Sequence, residues 1–228
     1  MGYSPILAVA TAAFDLLAVG WAFATRFKPG SRGVVGTTAA ILLLLAGYQI
    51  AEVAICADVA ASGFLPRLAF VIVTWLPPLG LLLIAQLRRP RSGPTYLSAY
   101  AALAAAAGIV VWIAVDRSFA TASVCSAVYA RYAHAMPRFR VYAWFYWIGL
   151  AGMVAFSAYG ATVCSDPRRR KQLALLFVGT LAFVVPSLVL SSFVPATRGA
   201  LPSVLCHFAL LLAVLLVCLV YFEGKPAP

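Results

Sequence analysis

The chain has 228 residues, of which 64% are hydrophobic and 10% charged, and its mean hydropathy is +0.99. Soluble domains carry about 25% charged residues, so this composition excludes an ordinary soluble domain and indicates an integral membrane protein. The formal net charge of +11 does not indicate nucleic-acid binding, because the basic residues cluster in short segments between apolar runs instead of forming a basic surface with interleaved aromatic rings.

Seven stretches of the chain are apolar over the roughly 20 residues that a membrane-spanning helix needs. They predict an all-α, polytopic membrane protein with a single seven-helix domain over residues 1–228. The predicted spans cover residues 5–25, 36–60, 68–87, 96–115, 141–163, 172–194 and 201–222. We expect the first span to be retained and not cleaved as a signal peptide, because no basic residue precedes it and Asp15 interrupts it.

Lysine and arginine concentrate in the segments that follow the first, third and fifth spans. The positive-inside rule places such segments in the cytoplasm, which predicts an outside N-terminus, a cytoplasmic C-terminus and location in the plasma (inner) membrane. The longest connection, residues 116–140, then lies outside, and we expect a short surface helix over residues 120–135. The basic residues of the three segments are Arg26, Lys28, Arg32, Arg88, Arg89, Arg91, Arg168, Arg169, Arg170 and Lys171.

The second span carries polar side chains at Gln49, Glu52 and Cys56, spaced i, i+3 and i+7. On a helix these three positions share one face. Because an ionisable group at membrane depth is costly, it marks a candidate functional site. Cys56 near the outer end of this span and Cys125 in the outer connection both face an oxidising compartment. A Cys56–Cys125 disulfide is therefore possible, with two unpaired cysteines in packing positions as the alternative.

Polar residues of other spans are predicted at a similar depth in the outer half of the membrane. Ser203 and His207 in the seventh span are four residues apart and point in the same direction. One hypothesis is an outward-opening polar pocket in which Glu52 and His207 form an ionisable pair; the other is that these side chains only join helices by hydrogen bonds. The candidates for ligand binding or proton relay are Gln49, Glu52, His207, Ser203, Ser187, Ser191, Trp75 and Asp15.

Signatures of enzymes and of metal sites are scarce in the sequence. With only two histidines a three-histidine zinc site is impossible, and neither a G-x-S-x-G motif nor a glycine-rich phosphate loop occurs. We therefore assign no catalytic residue, expect no metal, and leave the cofactor unknown.

Three segments carry a resemblance to a known group of proteins. Gln49-x-x-Glu52 in the second span is followed in the third by Phe70, Trp75 and the pair Pro77-Pro78, and the last span opens with the sequence PSVLCHF at residues 202–208. This pattern resembles a group of small bacterial seven-span membrane proteins of unknown function, over residues 42–217. The tryptophan that usually follows Q-x-x-E in that group is absent here, and so is its cysteine-containing start. The resemblance implies a seven-span fold and points to Gln49 and Glu52, but it implies no activity.

These observations lead to three functional hypotheses. We expect a non-enzymatic protein of the lipid bilayer that binds a small or lipid-like molecule in an outward-facing polar pocket, as a sensor or as an accessory subunit of a membrane-protein partner. The first alternative is a small proton-coupled transporter that uses Glu52, Asp15 and His207. The second is an intramembrane enzyme with Glu52 and His207 as an acid–base pair.

Overall fold

The protein is a bundle of helices, seven of which are long and apolar enough to cross a membrane when the broken third span is counted as one. The computed structural model describes residues 4–24, 31–57, 63–88, 93–120, 122–126, 129–133, 136–194, 197 and 200–224. The helices are α1 (Ile6–Ala24), α2 (Arg32–Cys56), α3 (Phe64–Thr74), α4 (Leu76–Leu87), α5 (Gly93–Val115), α6 (Met136–Val163), α7 (Pro167–Phe193) and α8 (Leu201–Gly224). The predicted helical architecture is confirmed, with seven helices in the described part of the chain that are long and apolar enough to span a membrane.

The third span is interrupted at Trp75, between α3 and α4. Pro77 and Pro78 occupy the first turn of α4, where the missing backbone N–H groups of proline are tolerated. The hydroxyl of Thr74, at the end of α3, donates to the carbonyl of Phe70 at 2.6 Å. Such a bond gives a buried threonine hydroxyl a partner within its own helix, as apolar surroundings require.

Helix α8 packs against α7, α2 and α1, and α2 also packs against α1, α3 and α4. Helices α4 and α6 approach each other closely at two glycines. A Cβ atom at Gly149 would lie 2.6 Å from the Cβ of Pro77, and one at Gly80 would lie 2.3 Å from Met153. At Gly149 only glycine therefore fits without a shift of the neighbouring helix, whereas at Gly80 a larger residue would require the flexible Met153 side chain to move.

The outer connection contains a β-hairpin where we expected a short helix over residues 120–135, so that prediction is wrong. Strand β1 (Ala122–Cys125) pairs antiparallel with β2 (Ala130–Ala133), and Cys125 lies opposite Ala130. Burial alternates along β2, with Tyr132 inside and Arg131 exposed. Alternation with a period of two is typical of a strand with one face against the end of the bundle. In a helix, where consecutive residues differ in direction by about 100°, burial would repeat every three to four residues.

Candidate functional site

We use the name outer cap for residues 116–120, 122–126 and 129–133, which lie over one end of the bundle. A disulfide joins Cys125 of the cap to Cys56 at the end of α2, with 5.6 Å between the two Cα atoms. The hydroxyl groups of Tyr132 and Tyr48 lie 3.1 Å apart within hydrogen-bond distance. The backbone N–H of Ala130 donates to the Ser203 hydroxyl oxygen at 3.2 Å, so this predicted site residue holds the cap against α8.

Aromatic rings form a second set of contacts between the cap and the bundle. The ring of Phe70 in α3 packs edge to face against four other rings, with centroid distances of 5.2–5.9 Å. These four rings belong to Phe119, Tyr132, Phe139 and Tyr142. Tyr142 and Tyr146 in the first turns of α6 are buried, while Trp144 between them is 68% exposed. The aromatic residues at this end of α6 are therefore divided between the core and the lipid-facing surface.

Beneath the cap, α1, α2 and α8 bring buried polar groups together around Cys206. The side-chain amide of Gln49 donates to the Cys206 carbonyl at 2.7 Å. The buried Glu52 carboxyl is close enough to the Cys206 thiol and the Tyr48 hydroxyl to influence both electrostatically. The Asp15 carboxyl of α1 interacts with the same thiol. We call Asp15, Tyr48, Gln49, Glu52 and Cys206 the outer cluster.

Two members of the outer cluster contain hydrogen-bond acceptors that the rest of the described chain does not satisfy. Asp15 is 0% exposed, and neither of its carboxyl oxygens has a hydrogen-bond partner among the described residues. Gln49 is 1% exposed, and its Oε1 atom likewise has no partner there. Burial of such a group without a hydrogen bond costs about 1–3 kcal/mol in proteins, and more when the group is charged. These acceptors favour binding of a molecule that donates hydrogen bonds.

The structure places His207 differently from the predicted pair with Glu52. Nδ1 of His207 lies 2.7 Å from the Ser203 carbonyl oxygen of its own helix, and the side chain is half-buried. No ion pair joins His207 to Glu52 within the described ranges. Consecutive helical residues differ in direction by about 100°, and here Cys206 is the buried neighbour that lies within electrostatic range of Glu52. Cys206 and Tyr48 are not among the predicted site residues, although in the sequence they adjoin His207 and Gln49.

The other predicted site residues lie on α7 and at the α3–α4 break. Ser187 is buried, and its hydroxyl donates to the Phe183 carbonyl of α7 at 2.8 Å. The hydroxyl of Ser191 is buried without a partner among the described residues. Trp75 is half-buried at the break between α3 and α4. The Ser187 bond thus stays within one helix and does not extend the outer cluster.

A cleft of about 470 Å³ lies between α1 and α2 beside the outer cluster. Its walls are apolar except for Gln49, whose amide oxygen has no described partner. The lining residues are Ala8, Val9, Ala12, Ala13, Leu16, Gln49, Ile50, Val53, Ala54 and Ala57. Within the described ranges, no three histidine, cysteine, aspartate or glutamate side chains are grouped so that they could hold a metal ion. An apolar cleft with one polar group matches a ligand that is itself mostly apolar.

A second buried polar cluster lies at the opposite end of the bundle. The guanidinium of Arg169 donates to both carboxylate oxygens of Glu223, at 2.7 and 3.1 Å, and the Gln172 amide donates to the same carboxylate at 2.8 Å. The Ser31 hydroxyl at the start of α2 lies near the same carboxylate. We call Ser31, Arg169, Gln172 and Glu223 the inner cluster. Its hydrogen bonds join α7 to α8 beside the beginning of α2.

No protein-family model matches this chain, and no curated protein matches it significantly.

Proposed function

We propose that the chain is a non-enzymatic membrane protein that binds a small or lipid-like molecule at the outer cluster. The observation that carries this proposal is the set of buried acceptors on Asp15 and Gln49 that have no hydrogen-bond partner among the described residues. Acceptors of this kind are costly in an apolar environment, and a bound molecule that donates hydrogen bonds removes the cost.

The cleft between α1 and α2 suggests the chemistry of this ligand. Its apolar walls suit an alkyl or similar apolar tail, and the Gln49 amide oxygen suits a head group with N–H or O–H donors. The cleft lies on a helix face that would contact lipid, so the ligand reaches it from the bilayer. We propose this lateral route in place of the outward-facing opening expected from the sequence.

The orientation of the chain is part of the proposal. The Cys56–Cys125 disulfide supports an oxidising compartment at the cap end, because disulfides persist outside the cytoplasm. The run of basic residues at positions 168–171 supports a cytoplasmic location for the opposite end. Together they favour an outside N-terminus in a plasma membrane. A sensor or accessory subunit of this kind acts through a membrane-protein partner.

The two alternative functions need features that the described residues do not favour. Proton-coupled transport requires polar groups across the middle of the bundle, whereas the cavity of about 20 Å³ there is lined by apolar side chains. The lining residues are Ile41, Leu76, Leu150, Met153, Leu176, Phe183, Leu212 and Leu216. An acid–base enzyme requires Glu52 and His207 to act on one substrate, and no ion pair joins these two side chains within the described ranges.

The proposal is tested with long-chain amines in phosphatidylcholine nanodiscs that contain the purified protein. Hexadecylamine has an apolar tail and N–H donors, while hexadecyltrimethylammonium has the same tail and charge without a donor. We expect hexadecylamine to raise the midpoint of thermal unfolding by about 3 °C or more above the effect of the trimethyl compound. Equal shifts with the two compounds would contradict the proposal.

Two glutamines provide a matched pair of variants for this experiment. Gln49 and Gln86 each have an Oε1 atom that is buried without a described partner, but of the two only Gln49 lines the α1–α2 cleft. We expect Gln49→Leu to weaken binding of hexadecylamine about tenfold, from the loss of a hydrogen bond to a charged donor, and Gln86→Leu to leave it unchanged. Equal losses in the two variants would show that the cleft is not the binding site.

A further inference from the structure

A second cleft lies on a different face of the bundle, between α5 and α6, with α4 as its floor. Its volume is about 370 Å³, and Ser98 provides the polar side chain among its lining residues. These residues are Pro78, Leu81, Ser98, Ala101, Ala102, Ala105, Phe145, Ile148, Gly149, Gly152 and Phe156. Helix α5 packs on α3 and α4, α6 packs on α4 and α7, and the small side chains between α5 and α6 leave the cleft open.

Arg88 lies at the end of this cleft that is farther from the disulfide. Its guanidinium donates to the Thr95 hydroxyl of α5 at 2.8 Å and lies 5.1 Å from the ring centroid of Tyr159 in α6. Thr95 is three residues before Ser98, and Tyr159 is three residues after Phe156, so each is one helical turn from a residue that lines the cleft.

The Arg88 side chain retains hydrogen-bonding capacity in this position. Nη1 is used by Thr95, and neither Nε nor Nη2 donates to any described residue. Arg89 and Arg91 follow Arg88 in the sequence and lie outside the described residues. Guanidinium groups bind phosphate oxygens in a favourable planar geometry, and basic pockets between membrane helices bind anionic head groups.

We propose that the α4–α5–α6 cleft and Arg88 form a binding site for one anionic phospholipid. One acyl chain occupies the apolar cleft, and the phosphate accepts hydrogen bonds from the Arg88 guanidinium. A phospholipid fits this site better than a helix of a partner or of a second copy, because it combines an apolar chain for the cleft with an anionic phosphate for Arg88. This site is on other helices than the outer cluster and does not depend on the function proposed there.

Native mass spectrometry of the purified full-length protein tests this site with two lipids of the same chains. We expect dioleoylphosphatidylglycerol to bind about fivefold more tightly than dioleoylphosphatidylcholine, from the attraction of the arginine for the anionic head group. The Arg88→Gln variant should bind both lipids equally. Soluble glycerophosphoglycerol should fail to displace the phospholipid, and complete displacement would show that the cleft contributes nothing.

Two substitutions in α5 separate filling of the cleft from a general effect on the helix. Ala105 lines the cleft, and Ala107 is exposed on the other side of α5. We expect Ala105→Leu to weaken several-fold the binding of the phosphatidylglycerol molecule that binds most tightly. Ala107→Leu should leave this binding unchanged. The proposal is overturned if the wild-type protein does not distinguish the two lipids. It is also overturned if Arg88→Gln keeps the full preference, or if the two alanine variants behave alike.

Discussion

The two ends of this bundle each bury a polar cluster, but the clusters differ in how their hydrogen bonds are satisfied. In the inner cluster, the Glu223 carboxylate accepts hydrogen bonds from the side chains of Arg169 and Gln172. In the outer cluster, the Asp15 carboxyl has no described partner, and Gln49 uses its amide N–H but leaves its amide oxygen without one. Both clusters are almost completely buried.

We interpret this difference as one between a structural role of the inner cluster and the proposed binding role of the outer cluster. Charge-assisted bonds that are complete on both sides hold helices together and leave nothing for a ligand to satisfy. Incomplete bonds are a cost to the folded state, and proteins retain such costs at functional sites. The comparison predicts opposite effects on stability when one carboxyl is removed from each cluster.

The largest expected effect comes from the inner cluster. Glu223→Gln leaves the buried Arg169 guanidinium without its counter-charge, which should lower the free energy of unfolding by about 3–5 kcal/mol. Unfolding in mixed micelles with increasing dodecyl sulfate measures this change. The double variant Arg169→Leu with Glu223→Leu should recover most of the loss, because it removes both charges together. A wild-type midpoint in Glu223→Gln would show that the bonds are unimportant for stability.

The next effect concerns the disulfide that holds the outer cap. Replacing Cys56 and Cys125 by serine removes a crosslink between residues 69 positions apart, and we expect a loss of about 2–4 kcal/mol. Cys206, buried beneath the cap, should also become more reactive toward a maleimide. The Cys218→Ser variant controls for the loss of a cysteine as such, because Cys218 is free and its replacement removes no crosslink. Unchanged stability and unchanged reactivity of Cys206 would show that the cap is held without the disulfide.

Removal of the Asp15 carboxyl should raise the free energy of unfolding, whereas the two preceding changes lower it. Asp15→Leu takes away buried acceptors that have no described partner, so the free energy of unfolding in ligand-free nanodiscs should rise by about 1 kcal/mol. Thr11→Val, one turn away, removes a hydroxyl that already donates to the Leu7 carbonyl, and it should bring no gain. A loss of stability in Asp15→Leu comparable to that in Glu223→Gln would remove the distinction between the clusters.

The smallest effect is a dependence on pH at the edge of the cap. Hydrogen bonds from Ser118, and then the charge of Arg138, lower the pKa of Asp116 below its usual value. Because the folded pKa is the lower one, the stabilisation is present above about pH 4 and is lost as pH falls through the folded pKa. Unfolding midpoints of the wild type and of Asp116→Asn should therefore differ at pH 6 and converge near pH 2.

The variant Arg138→Gln separates the contributions of Ser118 and Arg138 to the lowered pKa of Asp116. Ser118 is the larger cause of the lowered pKa, so this variant should keep part of the pH dependence that Asp116→Asn removes. A pH profile for Asp116→Asn that is identical to that of the wild type would contradict the assignment.

The part of the candidate site that could be predicted from the sequence is the part that depends on local spacing along one helix. Gln49 and Glu52 share a helix face because of their separation along the chain, and both are buried in the structure. The same reasoning paired His207 with Glu52, whereas in the structure Nδ1 of His207 lies beside the Ser203 carbonyl oxygen and the buried Cys206 is within electrostatic range of Glu52. An almost wholly apolar helix gives no polar face from which its rotation can be read, so its inward side depends on the packing of neighbouring helices.

The sequence alone was sufficient to predict a helical membrane protein and its seven long apolar helices. In an apolar medium backbone N–H and C=O groups must bond within the segment, so each apolar run of about 20 residues becomes a helix. Three features can be seen only in the tertiary structure. They are the hairpin of the cap, the aromatic contacts around Phe70, and which of the buried polar groups have hydrogen-bond partners. These features depend on residues far apart in the chain, such as Tyr48 and Tyr132, whose proximity no local pattern records.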